Sequence, residues 1–175
     1  MINKSDVELT VKVVGALIAI FGVWAFFDDR AIVREEAASQ RSLSYVEKFE
    51  SESLISERNS IFEFWIGKEN IIAAIAQENG ISNREYDNLV RVSYEAYDKK
   101  SDLTESLIKM DNFYAQVNFC VSYELCNENL IMDYFCPRVG AFHGTYAPFF
   151  QYIGRQYEFQ NLGHSTADFS QSCTS

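Results

Sequence analysis

The sequence predicts an all-α protein, a single N-terminal transmembrane helix followed by a small helical bundle, and three observations predict it. Val13 to Phe27 contains no charged side chain. After it, apolar residues recur at steps of three and four. Only two prolines and eight glycines punctuate 175 residues, against ten Tyr and fourteen Phe with which to fill a core.

Residues 1–8 form a mixed-charge flank, with Lys4 set against Asp6 and Glu8. The run Val13–Phe27 rises about 22 Å as a helix, short of a hydrocarbon core of about 30 Å. Starting at Leu9 closes the gap, because Lys12 can extend its ammonium to the headgroups. Residues 9–27 are therefore the expected span, with Trp24, Phe26 and Phe27 at belt positions. Within it Gly15, Ala19 and Gly22 fall on one stripe of small residues, the expected helix-packing face.

Residues 28–60 are charged, with thinly spread apolar positions, and read as a helical stalk that breaks between Glu50 and Ser60. Residues 61–159 read as the bundle. A helix is expected over Ile61–Glu78, stopped by Asn79–Gly80. Ser82 with Glu85 makes a capping-box pattern opening a helix to about Lys99, with Tyr86, Leu89, Val90, Tyr94 and Tyr97 inward. Leu103, Leu107, Met110, Tyr114, Val117 and Val121, with Leu125 close to the next expected position, give the most regular period in the chain, a helix of about 22 residues. Glu128–Phe135 is expected to be short, since Pro137 disfavours helical geometry before it. Val139 to Tyr157 is periodic again, with a kink or a new start at Pro148. Residues 160–175, rich in Gln, Asn, Gly, Ser and Thr, read as a flexible tail.

Fifteen basic against twenty-five acidic side chains give a net charge of −10. That balance excludes a binder that tracks nucleic-acid phosphates. Three basic residues, Arg30, Arg34 and Arg41, follow the span and two, Lys4 and Lys12, precede it, so the C-terminal domain is expected on the cytoplasmic side of the membrane. Four cysteines, Cys120, Cys126, Cys136 and Cys173, would make two disulfides in a periplasm. Three of them lie in apolar, aromatic stretches, where cysteine behaves as a small hydrophobe, and reduced thiols are the expectation.

From Met110 to Tyr157 the runs Asp111-Asn112-Phe113-Tyr114, Asn127-Glu128 with Leu130 to Phe135, and Tyr146-Ala147-Pro148-Phe149 with Arg155 resemble the C-terminal half of an uncharacterised bacterial family. Its members have one N-terminal transmembrane helix, a charged Arg/Gln/Ala-rich segment and a cytoplasmic all-helical domain. The resemblance implies that architecture, single-pass in a bacterial inner membrane, and supplies no catalytic residue.

Little in the sequence carries chemistry. Cys120, Cys126, Cys136 and His143 lack the paired spacing of a structural zinc site, and Gly140–Gly144 lacks the Lys and Ser/Thr of a phosphate loop. No cofactor and no metal is expected, and no enzymatic activity. The reading is a membrane-anchored helical interaction protein, an accessory or regulatory subunit of a membrane-associated assembly. Its partners would be the bilayer through residues 9–27 and either a second copy or another membrane protein. The alternative is a small membrane-bound thiol enzyme or redox sensor using Cys136 with His143.

Overall fold

The computed structural model describes residues 30, 32–68, 82–159 and 161–174, and among them there are six helices and no strand. They are α1 (residues 32–49), α2 (Glu52–Glu63), α3 (Asn83–Glu95), α4 (Lys100–Ser122), α5 (Glu128–Gln156) and α6 (His164–Ser172).

The stretch 9–27 read as a transmembrane helix, with Gly15, Ala19 and Gly22, lies outside the described residues. Among those described, no helix is long and apolar enough to cross a membrane. That finding corrects the expected location, a single-pass inner-membrane protein with a cytoplasmic domain. Cysteine chemistry points the same way. Cys120 is bonded to Cys126 and Cys136 to Cys173, so all four thiols expected to be reduced are oxidised. Such bonds persist in oxidising compartments and are rare in a reducing cytosol.

α4 is the centre of the bundle. Its predicted stripe is buried from Leu103 to Val117, with Leu103, Leu107, Met110, Tyr114 and Val117 at most 1 % exposed, whereas Val121 is half-buried and Leu125 is exposed. Residues at such spacings share one face of a helix, and the other helices close over that face. Phe49, Phe113, Tyr114 and Phe135 meet tilted or edge-on, with ring centroids 5.6 to 6.5 Å apart. A second group, Phe64, Trp65, Tyr94 and Phe149, packs mainly edge to face. Each such contact adds about 0.5–1.5 kcal/mol beyond the area it buries.

Local signals place the ends of the helices. Ser82 and Glu85 form the predicted capping box, the hydroxyl accepting from the Glu85 N–H while the carboxylate accepts from the Ser82 N–H. Asn127 caps α5 through its side-chain oxygen, which accepts from the Leu130 N–H. Of the helix expected over Ile61–Glu78, residues 61–63 are the last turn of α2 and residues 64–67 form a turn, with Gly67 at φ +78°. Neighbouring positions on a helix diverge by about 100°, so this turn is what lets Phe64 and Trp65 both reach the core. Residues 69–81, including Asn79–Gly80, lie outside the described residues.

Three boundaries differ from expectation. From Ser42 onward the segment read as a stalk is part of the bundle: Phe49 and Leu54 are buried, and Ser42 is fully covered. The Asn127 N–H donates to the Ser42 hydroxyl at 2.9 Å, and Arg41 donates to the Leu125 carbonyl at 3.1 Å. Next, α5 runs unbroken through Pro137 and Pro148 for 29 residues. Each proline frees the carbonyl four residues earlier, on Asp133 and Gly144, and both of those residues are exposed, where water can take up the freed acceptor. Finally, the expected tail contains α6, whose Thr166 and Phe169 are completely buried.

What holds α6 comes from another helix. Asp111 on α4 accepts the Gly163 N–H at 3.0 Å and the Thr166 N–H at 3.2 Å, and also the Thr166 hydroxyl. These satisfy donors that a helix start leaves without intrahelical partners. The Cys136–Cys173 bond ties the far end of α6 to α5.

Candidate functional site: the cleft between α5 and α6

On α5, His143, Ala147, Gln151 and Arg155 are spaced by fours and form one stripe along the helix. α6 returns beside that stripe and leaves an open cleft of about 900 Å³, lined also by Leu162 and His164. Both histidines of the chain thus line one cavity.

Two glycines make the return possible. Gly163 has φ +83°, and a Cβ there would stand 2.7 Å from the ring and Cβ of Phe150. At Gly154 a Cβ would come within 2.9 Å of the Phe159 carbonyl oxygen. The chain folds back over both positions because neither carries a side chain.

Beside the cleft, and sharing Gln151 and Arg155 with it, a groove of about 250 Å³ runs between α3 and α5. Arg84, Asp87, Asn88 and Arg91 supply the α3 wall. Arg91 is engaged, donating to Asn88 at 2.8 Å and standing 3.6 Å from Glu95. Glu95 in turn accepts from the Tyr152 hydroxyl at 2.8 Å, and that bond raises the Tyr152 pKa, so its proton stays in place. Arg84 and Arg155 are exposed and have no ion-pair partner among the described residues. Below the groove, Tyr86 donates to the Thr145 carbonyl at 2.7 Å and Trp65 to the Tyr146 hydroxyl at 2.8 Å. Burial raises the pKa of both tyrosines, which act as neutral struts.

Other charged clusters are used up in packing. Glu57 on α2 accepts from Ser106 at 2.6 Å and from Lys109 at 2.7 Å, both on α4. Burial alone would raise the Glu57 pKa, yet the two bonds outweigh it and hold the carboxyl below its usual value. Glu50 accepts from Tyr134 at 2.5 Å and from Arg58 at 3.3 Å, bonds that lower its pKa. Among the described residues no buried side-chain nitrogen or oxygen lacks a hydrogen-bond partner.

Of the residues singled out in the sequence, His143 lies in the cleft and Cys136 is joined to Cys173. Cys136 therefore holds no thiol that His143 could activate. The two are seven residues apart on α5, about 10 Å of helical rise. His164 and Arg155 were not expected to meet His143. Their shared cavity depends on the return of α6, which no local pattern in the polar C-terminal segment announces. Among the described residues no cluster of three or more His, Cys, Asp or Glu side chains is placed to hold a metal ion.

Comparison with known proteins finds no matching family model, no matching curated protein and no matching solved structure.

Proposed function

We propose that the chain is a helical interaction module, an accessory or regulatory subunit that holds a partner in the cleft between α5 and α6 and works in an oxidising compartment. One observation carries this reading. The cleft gathers His143, Arg155 and His164 around a volume of about 900 Å³, a size that accepts a peptide side chain or small ligand, while charges such as Glu57 and Asp111 are tied into the packing. The two disulfides support the choice of compartment. A rigid cavity fixed by a cap and a covalent bond loses little freedom when it binds, which favours affinity.

The test is a photo-activated cross-linker placed at Gln151 in the full chain, in the cell that makes it. A discrete adduct is expected from Gln151 and not from the control position Glu35, which is exposed on α1. An adduct of about 40 kDa, twice the chain's 20.1 kDa, would identify the partner as a second copy. Equal labelling from both positions would overturn the reading.

A further inference from the structure

The groove beside the cleft shows an unusual placement of charge, and its chemistry bears on the class of partner, given that the cleft is a binding site. The chain carries a net −10, yet three of its eight arginines, Arg84, Arg91 and Arg155, line one groove of about 250 Å³. The walls are two helix faces at matching spacings: 84, 87, 88 and 91 on α3, and 148, 151, 152 and 155 on α5. Arg91 is held by Glu95 and Asn88, whereas Arg84 and Arg155 have no ion-pair partner among the described residues. Arg155 also faces the cleft that holds both histidines, so groove and cleft are continuous through Gln151 and Arg155.

We propose that this groove binds an acidic peptide segment of the partner, its carboxylates on Arg84 and Arg155 and its backbone against the amides of Asn88 and Gln151. A guanidinium presents a planar fork that matches a carboxylate in two parallel hydrogen bonds. Along α3, Arg84 and Arg91 are separated by about 10 Å of rise. Asp87 stands between them and Glu158 lines the cleft beyond Arg155. Those two acids repel a polymer with a charge on every unit, such as nucleic acid or a sulfated polysaccharide. Carboxylates spaced apart can avoid them. Phe159 and Leu162 in the cleft offer apolar contact to a neutral residue flanking the acids.

The test uses the full chain with its disulfides intact, titrated into a fluorescein-labelled eight-residue peptide in which Glu alternates with Leu and Ser, at 50 and 150 mM salt. The Glu peptide is expected to bind, and its Gln counterpart to bind at least tenfold more weakly. Arg84→Gln and Arg155→Gln should each weaken binding roughly three- to tenfold. Arg34→Gln, at an exposed position on α1, should leave it unchanged. Circular dichroism checks that each variant is folded. Equal binding of the Glu and Gln peptides, equal loss in Arg34→Gln, or displacement of the peptide by a heparin fragment or inorganic phosphate at matched charge would each overturn the proposal. If the Gln151 cross-linker captures a discrete partner undiminished by Arg84→Gln/Arg155→Gln, the acidic class fails while the binding role of the cleft stands. If Gln151 yields no adduct above Glu35 although the Glu peptide binds through these arginines, the groove's chemistry stands and the cellular role fails.

Discussion

Replacing Asp111 by Ala tests how the C-terminal helix is held. The substitution removes the acceptor of the Gly163 N–H, the Thr166 N–H and the Thr166 hydroxyl, all three at buried residues. A buried donor stripped of its partner costs about 1–3 kcal/mol, so three orphans alone would give about 3–9 kcal/mol. Two effects bring this down: the variant no longer buries a carboxylate, and water can enter the space it vacates. The net expectation is about 3–5 kcal/mol. For a domain of this size that corresponds to a fall in Tm of about 8–15 °C. Urea unfolding followed by circular dichroism, with the disulfides intact, measures it. Asp111→Asn retains one acceptor oxygen and should lose less. A double-mutant cycle with Thr166→Ala should give a coupling of about 1–2 kcal/mol, since the pair is in direct contact. A loss below about 1 kcal/mol for Asp111→Ala, or no coupling to Thr166, would refute this account of α6.

Three other perturbations have defined outcomes. Replacing both Cys136 and Cys173 by Ala opens a link across 37 residues and should cost up to about 4 kcal/mol, against up to about 2 kcal/mol for the six-residue link Cys120–Cys126; unfolding midpoints of the two double variants give the order. Gly163→Ala combines a positive φ with a clash against buried Phe150 and should lose about 2–4 kcal/mol, where Gly144→Ala, in mid-helix with nothing within 4 Å, should lose nothing and gain up to about 1 kcal/mol. The Glu57 carboxyl, held below its usual value by Lys109 and Ser106, contributes stability that is present above the unfolded carboxylate range near pH 4.5 and lost as pH falls through its lower folded value. Glu57→Gln should therefore flatten that part of the acid limb of a stability-versus-pH curve, and an unchanged limb would count against the clasp.

The parts of the fold legible in the sequence are those written in neighbouring residues. The stripe from Leu103 to Val117 and the Ser82–Glu85 box each encode their result within a few turns of chain. Where the deciding partner is remote, local patterns mislead. The segment after Phe159 is polar and looks like a tail, but Asp111, about 50 residues earlier, caps a helix in it. Prolines 137 and 148 impose a local cost, and whether a helix survives depends on which carbonyls are freed and whether water can reach them. Small residues hid the docking side of α1: Ala38, Ser39 and Ser42 add little hydrophobicity, yet they let the loop at Asn127 approach closely. Cysteines in apolar surroundings read as packed thiols, and it is the approach of α6 to α5 that makes Cys136 and Cys173 a bridge instead.

The candidate site divides in the same way. His143 was visible as one of two histidines, but the cleft is a product of the turn at Gly154 and Gly163 that brings His164 opposite it. The arginine pattern at 84 and 91 was present in the sequence as well, although its meaning depends on Arg155 arriving from α5.

Peptide mapping by mass spectrometry, on non-reduced protein alkylated before digestion, tests most directly that α6 is docked against α5 and that the domain is oxidised. The account predicts two cross-linked peptides, Cys120 with Cys126 and Cys136 with Cys173, and no alkylated cysteine. Alkylation of Cys136 and Cys173, or their pairing with the other two cysteines, would contradict it.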